Sequence, residues 1–149
     1  MNLAWELATA TKKDGPRVCL IDLDTIARLP VAYELGDALR SWCNPEPEDS
    51  PQARFSLAHY EAAIAGYAET AGRLFDKPTR SAVASATLTI AIELAARFAA
   101  DALNEAYFSW DRYRFASAGE HNLARARAQL GLAESLSAAS AEMNRLVMT

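Results

Sequence analysis

The stretch from about Thr79 to Asn104 is apolar on most of its circumference, and it limits the folds open to this chain. Ala86, Ile90, Leu94 and Phe98 form one row at helical spacing; Leu88, Ile92, Ala95 and Ala99 form another. A helix apolar nearly all round has to be enclosed by other elements, so the pattern predicts a central helix with Ile90, Leu94 and Phe98 in the core. Its one polar row is Thr89, Glu93, Arg97 and Asp101, each four residues apart and close enough to touch its neighbour. The row has two readings. It faces solvent and its charges pair, each pair contributing about 0.2–0.5 kcal/mol; or it lines a cleft in which two acids hold Arg97 towards a polar ligand. Ser, Thr, Glu, Arg and Asp interrupt the apolar region 82–102, which argues against a membrane span.

The rest of the chain supplies elements to enclose that helix. Ala32 to Trp42 carries Leu35, Leu39 and Trp42 at helical spacing, and Leu57, Tyr60, Ile64 and Tyr67 mark a second helical face. Residues 44–52 form a loop with three prolines and three acids. Asp76-Lys77-Pro78 suits a helix start, since proline is tolerated in the first turn. Ser117-Ala118-Gly119-Glu120 has capping-box spacing and opens a last helix to about Val147, with Leu132, Leu136, Ala139, Met143 and Leu146 on its apolar face. Tyr107, Phe108, Trp110, Tyr113 and Phe115 crowd the segment before it. Near the N-terminus, Leu3, Trp5 and Leu7 alternate with smaller or polar residues, Asp14-Gly15 signals a turn, and Val18 to Ile21 is an apolar run. These features predict a β-hairpin over about 3–22. The expected fold is one domain, 1–149, mainly α with an N-terminal β-hairpin and a helical part over about 31–147. The hairpin edge is expected to be partly bare.

Composition narrows the function classes. A hydrophobic fraction of 51% and a charged fraction of 23% over 149 residues fit a globular domain with a sizeable core. A formal net charge of −4, with no cluster of Lys or Arg, gives no footprint for nucleic acid. Cys19 and Cys43 match no metal or redox spacing, and the N-terminus has no signal-peptide pattern. The expectation is a cytoplasmic protein without a membrane or nucleic-acid partner.

The chemistry-bearing motif is Ile21-Asp22-Leu23-Asp24-Thr25, where an apolar run delivers two carboxylates spaced i, i+2. Unpaired carboxylates are costly to bury, so such a pair is solvated, hydrogen-bonded or bound to a cation. Magnesium takes oxygen ligands, often one or two carboxylates plus substrate phosphates. The pair alone also fits the Asp-x-Asp of haloacid dehalogenase-like phosphatases, but no further strand follows Thr25, as that parallel-sheet fold requires.

Four ordered blocks give a second resemblance. The Asp22 segment resembles the magnesium-binding segment of aminoglycoside phosphotransferase-like small-molecule kinases. Leu35-Gly36-Asp37-Ala38-Leu39-Arg40 is similar to the Gly-Asp-x-x-Arg helix start that follows it. Arg97-Phe98-Ala99-Ala100-Asp101 with Tyr107-Phe108, and His121-Asn122-Leu123-Ala124-Arg125, resemble elements of the N-acetylhexosamine 1-kinase branch. The resemblance spans about Val18 to Leu136 and implies a protein-kinase-like C-terminal lobe. It implies Asp22 and Asp24 as magnesium contacts, with ATP as donor in the intact enzyme. It implies Arg97 and Tyr107 as sugar contacts, and Asp37, Arg40, Asp101, His121 and Asn122 as supports of the site. Asp24 also fits a role of orienting its own loop through backbone N–H groups.

The family's catalytic His-x-Asp-x-x-x-x-Asn loop and nucleotide lobe have no counterpart in this sequence. His59 is followed by Tyr60 and Glu61, and His121 by Asn122 and Leu123. No catalytic residue is therefore assigned. The expected function is the C-terminal part of an ATP-dependent sugar phosphotransferase, inactive alone. The alternatives are one half of a split kinase, with a separately encoded N-lobe as partner, or a non-catalytic helical binding module.

Overall fold

The computed structural model describes residues 27–148, which fold into four α-helices: α1 (Val31–Trp42), α2 (Leu57–Ala71), α3 (Lys77–Asn104) and α4 (Ala118–Met148). A short 3-10 turn, Gly72–Phe75, joins α2 to α3. Among the described residues there is no strand. The expected class, an α domain with a β-hairpin forming a kinase-like C-lobe, is therefore corrected: the described residues form a four-helix assembly. The residues that carried the mixed class, about 3–22, lie outside the described residues, as do Asp22 and Asp24. What is described is helical because every periodic segment after Pro30 repeats its apolar residues at helical rather than strand spacing.

Local chemistry sets the helix ends. The Asp76 carboxylate accepts the Thr79 N–H at 2.9 Å and so caps α3, with Pro78 in the first turn. Ser117 Oγ accepts the Glu120 N–H at 3.0 Å, and the Glu120 carboxylate reaches back to the Ala116 N–H at 2.9 Å. Those reciprocal bonds start α4. Ser56 caps α2 through the His59 N–H at 3.3 Å.

α3 and α4 lie antiparallel and make the principal helix pair, and α1 also packs against α3. Arg80, near the start of α3, donates to the Val147 carbonyl at the end of α4 (3.2 Å), while Asp101 and Asn122 join their opposite ends. The buried row of α3 is mostly small: Val83, Ala84, Thr87, Ala91 and Ala95, ending at Phe98. Ile90 and Leu94, expected in the core, are only half-buried, and Ile92 is 50% exposed. The reason is distance. Small residues let α1 and α4 approach α3 closely, so its bulkier side chains are left at the flanks. Leu39, Tyr60, Leu132, Leu136 and Met143 fill the core on the α4 side, and the Tyr60 hydroxyl donates to the Met143 carbonyl. Trp42, placed on the apolar face of α1 by spacing, is exposed; Cys43 takes the buried position after Leu39. Burial pushes the Cys43 thiol up to about 12, so it stays protonated and inert at neutral pH.

α3 has the length and hydropathy of a membrane-spanning helix, as core helices of soluble proteins also can. In this fold α1 and α4 cover it on two sides.

Gly36 sets the α1–α3 distance. A Cβ at this position would lie 3.0 Å from the Ala86 carbonyl carbon and 3.0 Å from the Thr87 nitrogen, both backbone atoms that cannot swing away. Gly36→Ala is predicted to lower stability by about 1–3 kcal/mol through overpacking, despite the better helix propensity of alanine. Urea unfolding measures this. An unchanged or higher midpoint would show that α1 moves off α3 without cost.

Candidate functional site

Asp101 closes α3 and builds the segment beyond it. Its side chain is almost fully buried, and its two oxygens accept the backbone N–H groups of Ala106 (2.9 Å), Tyr107 (3.0 Å) and Phe108 (2.8 Å). Asn122 Nδ2 on α4 donates to the same carboxylate at 3.0 Å. The bond from Phe108, foremost, and that from Ala106 hold this carboxyl below the usual range, against the opposing effect of burial. The chain turns at Glu105, in the left-handed region at φ 49°, whose carboxylate accepts the Gly119 N–H at 2.8 Å. The segment thus folded presents Tyr107, 73% exposed, edge-on to Phe108 at 4.8 Å between centroids.

Arg97, one turn before Asp101, lies beside this aromatic pair. Its guanidinium carbon is 5.6 Å from the Tyr107 ring centre and 5.5 Å from that of Phe108. The sequence reading set two acids on Arg97. The structure gives it one: Glu93, at 3.7 Å, an ion pair open to solvent. Asp101 is committed to backbone N–H groups instead. The polar row is therefore split, with Thr89, Glu93 and Arg97 exposed and Asp101 buried.

Arg97 borders two concavities. One, of about 360 Å³, is shallow and runs from Arg97 past Asp101 and Asn104 to Tyr107 and Phe108. The other, of about 290 Å³, lies between α1 and α3, with Tyr33, Asp37 and Arg40 on one wall and Ile90, Glu93 and Arg97 on the other. On its α1 wall, Arg40 donates through Nε (3.1 Å) and Nη2 (2.9 Å) to one Asp37 oxygen. The pair is the one-turn contact that Gly-Asp-x-x-Arg spacing allows.

His121 and Asn122 diverge at the start of α4. Asn122 serves Asp101. His121 is buried, stacked on Phe115 at 4.2 Å, and its Nε2 lies 3.1 Å from Asp49. Its Nδ1 accepts the Asp111 N–H at 3.1 Å, a role open only to neutral imidazole. Nε2 therefore carries the proton and donates to Asp49. Burial, then the nearby Arg125 charge, lower the His121 pKa, and these outweigh the raising effect of Asp49. Burial alone would raise the Asp49 carboxyl; hydrogen bonding and charge from Arg114, 2.7 Å away, and from His121 bring it below the usual range.

Asp49 and Arg114 are polar residues of this region that the sequence reading did not single out, and Arg125 entered it only as the last residue of the His-Asn-Leu-x-Arg block. The three acids between prolines at 44–52 were the available signal, with the arginines opposite them at 114 and 125. Pairing across that separation is set by tertiary packing and not by any local period.

Among the described residues, no group of three or more His, Cys, Asp or Glu side chains is arranged to hold a metal ion. Magnesium, implied by the resemblance, would depend on Asp22 and Asp24 outside the described residues, and no step is drawn through it. Comparison with models of known protein families and with characterised proteins gives no match for this chain.

Two predictions follow from these contacts. Because its pKa is lower folded than unfolded, Asp101 stabilises the fold above about pH 4, and that contribution is lost as pH falls through the lowered pKa. Asp101→Asn should make the acid limb of urea midpoint against pH shallower and speed hydrogen exchange at the amides of Ala106, Tyr107 and Phe108. Unchanged exchange there would refute the assignment. For His121, the folded pKa lies below the unfolded value of about 6.5, so its contribution is complete above that pH and declines as pH falls through it. Proton NMR titration should place His121 below 6.5; a value above it would mean an imidazolium–Asp49 ion pair.

Proposed function

We propose that this chain supplies the sugar-contacting part of an ATP-dependent phosphotransferase acting on N-acetylhexosamine-like acceptors, and that it does not transfer phosphate alone. The observation that supports the reading best is the setting of Arg97. Its guanidinium stands beside an exposed tyrosine at the rim of an open concavity, and the segment carrying that tyrosine is ordered beforehand by Asp101. A guanidinium fork suits vicinal sugar oxygens, and an exposed aromatic face suits the apolar face of a pyranose. Preordering lowers the entropic cost of binding. In the resemblance, the same Arg-Phe-x-x-Asp block and trailing aromatics contact the acceptor.

The assignment of Asp22 and Asp24 to magnesium-ATP and the cytoplasmic location belong to this proposal. So does inactivity alone, because neither histidine of the sequence sits in a His-x-Asp pattern. Phosphoryl transfer relies on positioning and charge stabilisation, and those parts supply most of both.

Titration of the isotope-labelled chain with N-acetylglucosamine tests the reading. Saturable shifts are expected at the Tyr107 and Phe108 amides and the Arg97 side chain. Arg97→Ala should weaken binding about tenfold, as for the loss of a charge-assisted hydrogen bond. With magnesium and ATP present, no sugar phosphate should form. Absence of these shifts would remove the sugar assignment. Turnover abolished by Asp22→Ala would instead overturn inactivity alone.

A further inference from the structure

One face of α3 is left uncovered by the other described residues. Leu88, Ile92, Ala96, Ala99 and Leu103 fall along a single stripe at helical spacing. Leu88 is half-buried at its edge, and the other four are exposed; Leu103 stands 88% in solvent. No charge interrupts the stripe, which runs about 22 Å along the helix. A continuous apolar strip on a core helix marks an interaction surface more than a scatter of single exposed residues does.

The pattern specifies the partner. About a point between Ala95 and Ala96, Leu88 and Leu103 are equidistant, and so are Ile92 and Ala99. Laid antiparallel on a second α3, the stripe sets each Leu88 against the other copy's Leu103. It sets each Ile92, a large residue, against the other's small Ala99, so that ridge meets groove. Glu93 and Arg97 border one edge of the stripe, equidistant from Ala95. A two-fold axis across the helix brings that same edge of both copies together in opposite directions. Glu93 of each copy then faces Arg97 of the other. In a parallel pair the edge would meet the opposite one, which carries no charge between Ala84 and Ala102. Within one chain the two side chains are about half exposed and only 3.7 Å apart at their nearest, so each is free to take the second partner. A lipid surface fits less well, since it is anionic and the chain carries a formal net charge of −4.

We infer that α3 is a self-association surface, on which two copies of this chain pair antiparallel through the Leu88–Leu103 stripe and exchange the Glu93 and Arg97 charges across the axis. One helix face of this length falls short of the roughly 1,200 Å² that a stable interface buries. The pair therefore forms at high concentration and separates on dilution.

Sedimentation of the full chain, from micromolar to millimolar, should show a reversible monomer–dimer equilibrium. Glu93→Arg and Arg97→Glu each set like charges against one another across the axis, so each should weaken dimerisation about tenfold or more. Mixed in equal amounts, these two variants should dimerise with one another as the native chain does, because the exchange is again complementary. Leu103→Ser should weaken the dimer through lost apolar contact. All three positions are exposed, so the variants are expected to fold, which helical circular dichroism checks. A chain that stays monomeric at millimolar concentration overturns the inference. So does a dimer indifferent to Leu103→Ser, or charge variants that fail to pair when mixed. A monomer that sediments with phosphatidylcholine vesicles overturns it in favour of a lipid surface. The sugar titration is read at Tyr107 and Phe108, outside the stripe, on monomeric chain at micromolar concentration, so failure of either idea leaves the other standing.

Discussion

One buried carboxylate holds together the end of the molecule where the candidate sugar cleft lies. Asp101 accepts three backbone N–H groups from the segment after α3 and one side-chain N–H from α4. Each bond ties a different part to the end of α3. The backbone bonds fold an otherwise irregular run into a fixed turn, and the Asn122 bond fixes where α4 begins. Without an anion at this point, three amide donors would be left in a partly buried place with no helix to receive them. Arg97, Tyr107 and Phe108 acquire their arrangement from it.

The opposite requirement governs the middle of the molecule, where distance is set by what is absent. Gly36 and the alanines of α3 bring the α1 backbone against the α3 backbone, and this approach turns Asp37, Arg40, Glu93 and Arg97 to the two walls of one groove. Close packing and site formation are therefore one event. The proline-flanked loop then seals the α4 side: Asp49 is answered by Arg114 and by a neutral His121, and Phe55 N–H by Ser135 Oγ. A neutral histidine fits here because Arg114 already supplies the charge that Asp49 needs.

The sequence made the helices legible through short-range signals. Asp76 with Pro78, and Ser117 with Glu120, mark helix starts by chemistry that acts over three residues, and Leu132 to Met143 repeats at the helical period. It misled where depth depends on neighbours. Ile90 and Leu94 have the right spacing for a core row, but the alanine side of α3 faces its partners because only that side allows close approach. Trp42 fails because the buried stripe of α1 runs from Ala32, Leu35, Gly36 and Leu39 to Cys43 and leaves position 42 outside. The polar row was legible as a row, while the split between exposed Arg97 and buried Asp101 was not. That split arises because α3 ends at Asn104 and the returning chain hydrogen-bonds to Asp101, while Arg97 only flanks its rings. The acidic loop carried its signal in composition, but pairing with Arg114 and His121 joins residues far apart in sequence, which no periodicity encodes.

The distribution of committed and uncommitted polar groups separates framework from site. Asp101, Asn122, His121 and Arg80 each make short bonds within the chain, and their geometry leaves little capacity for a ligand. Arg97 differs. It has only a 3.7 Å contact with Glu93 and two ring faces. Stability selects against this condition: an arginine ordered without hydrogen bonds loses side-chain entropy for little return. Arg97 borders open space on both the α1 side and the aromatic side of α3. A ring-flanked cation so placed calls for an oxygen-rich partner.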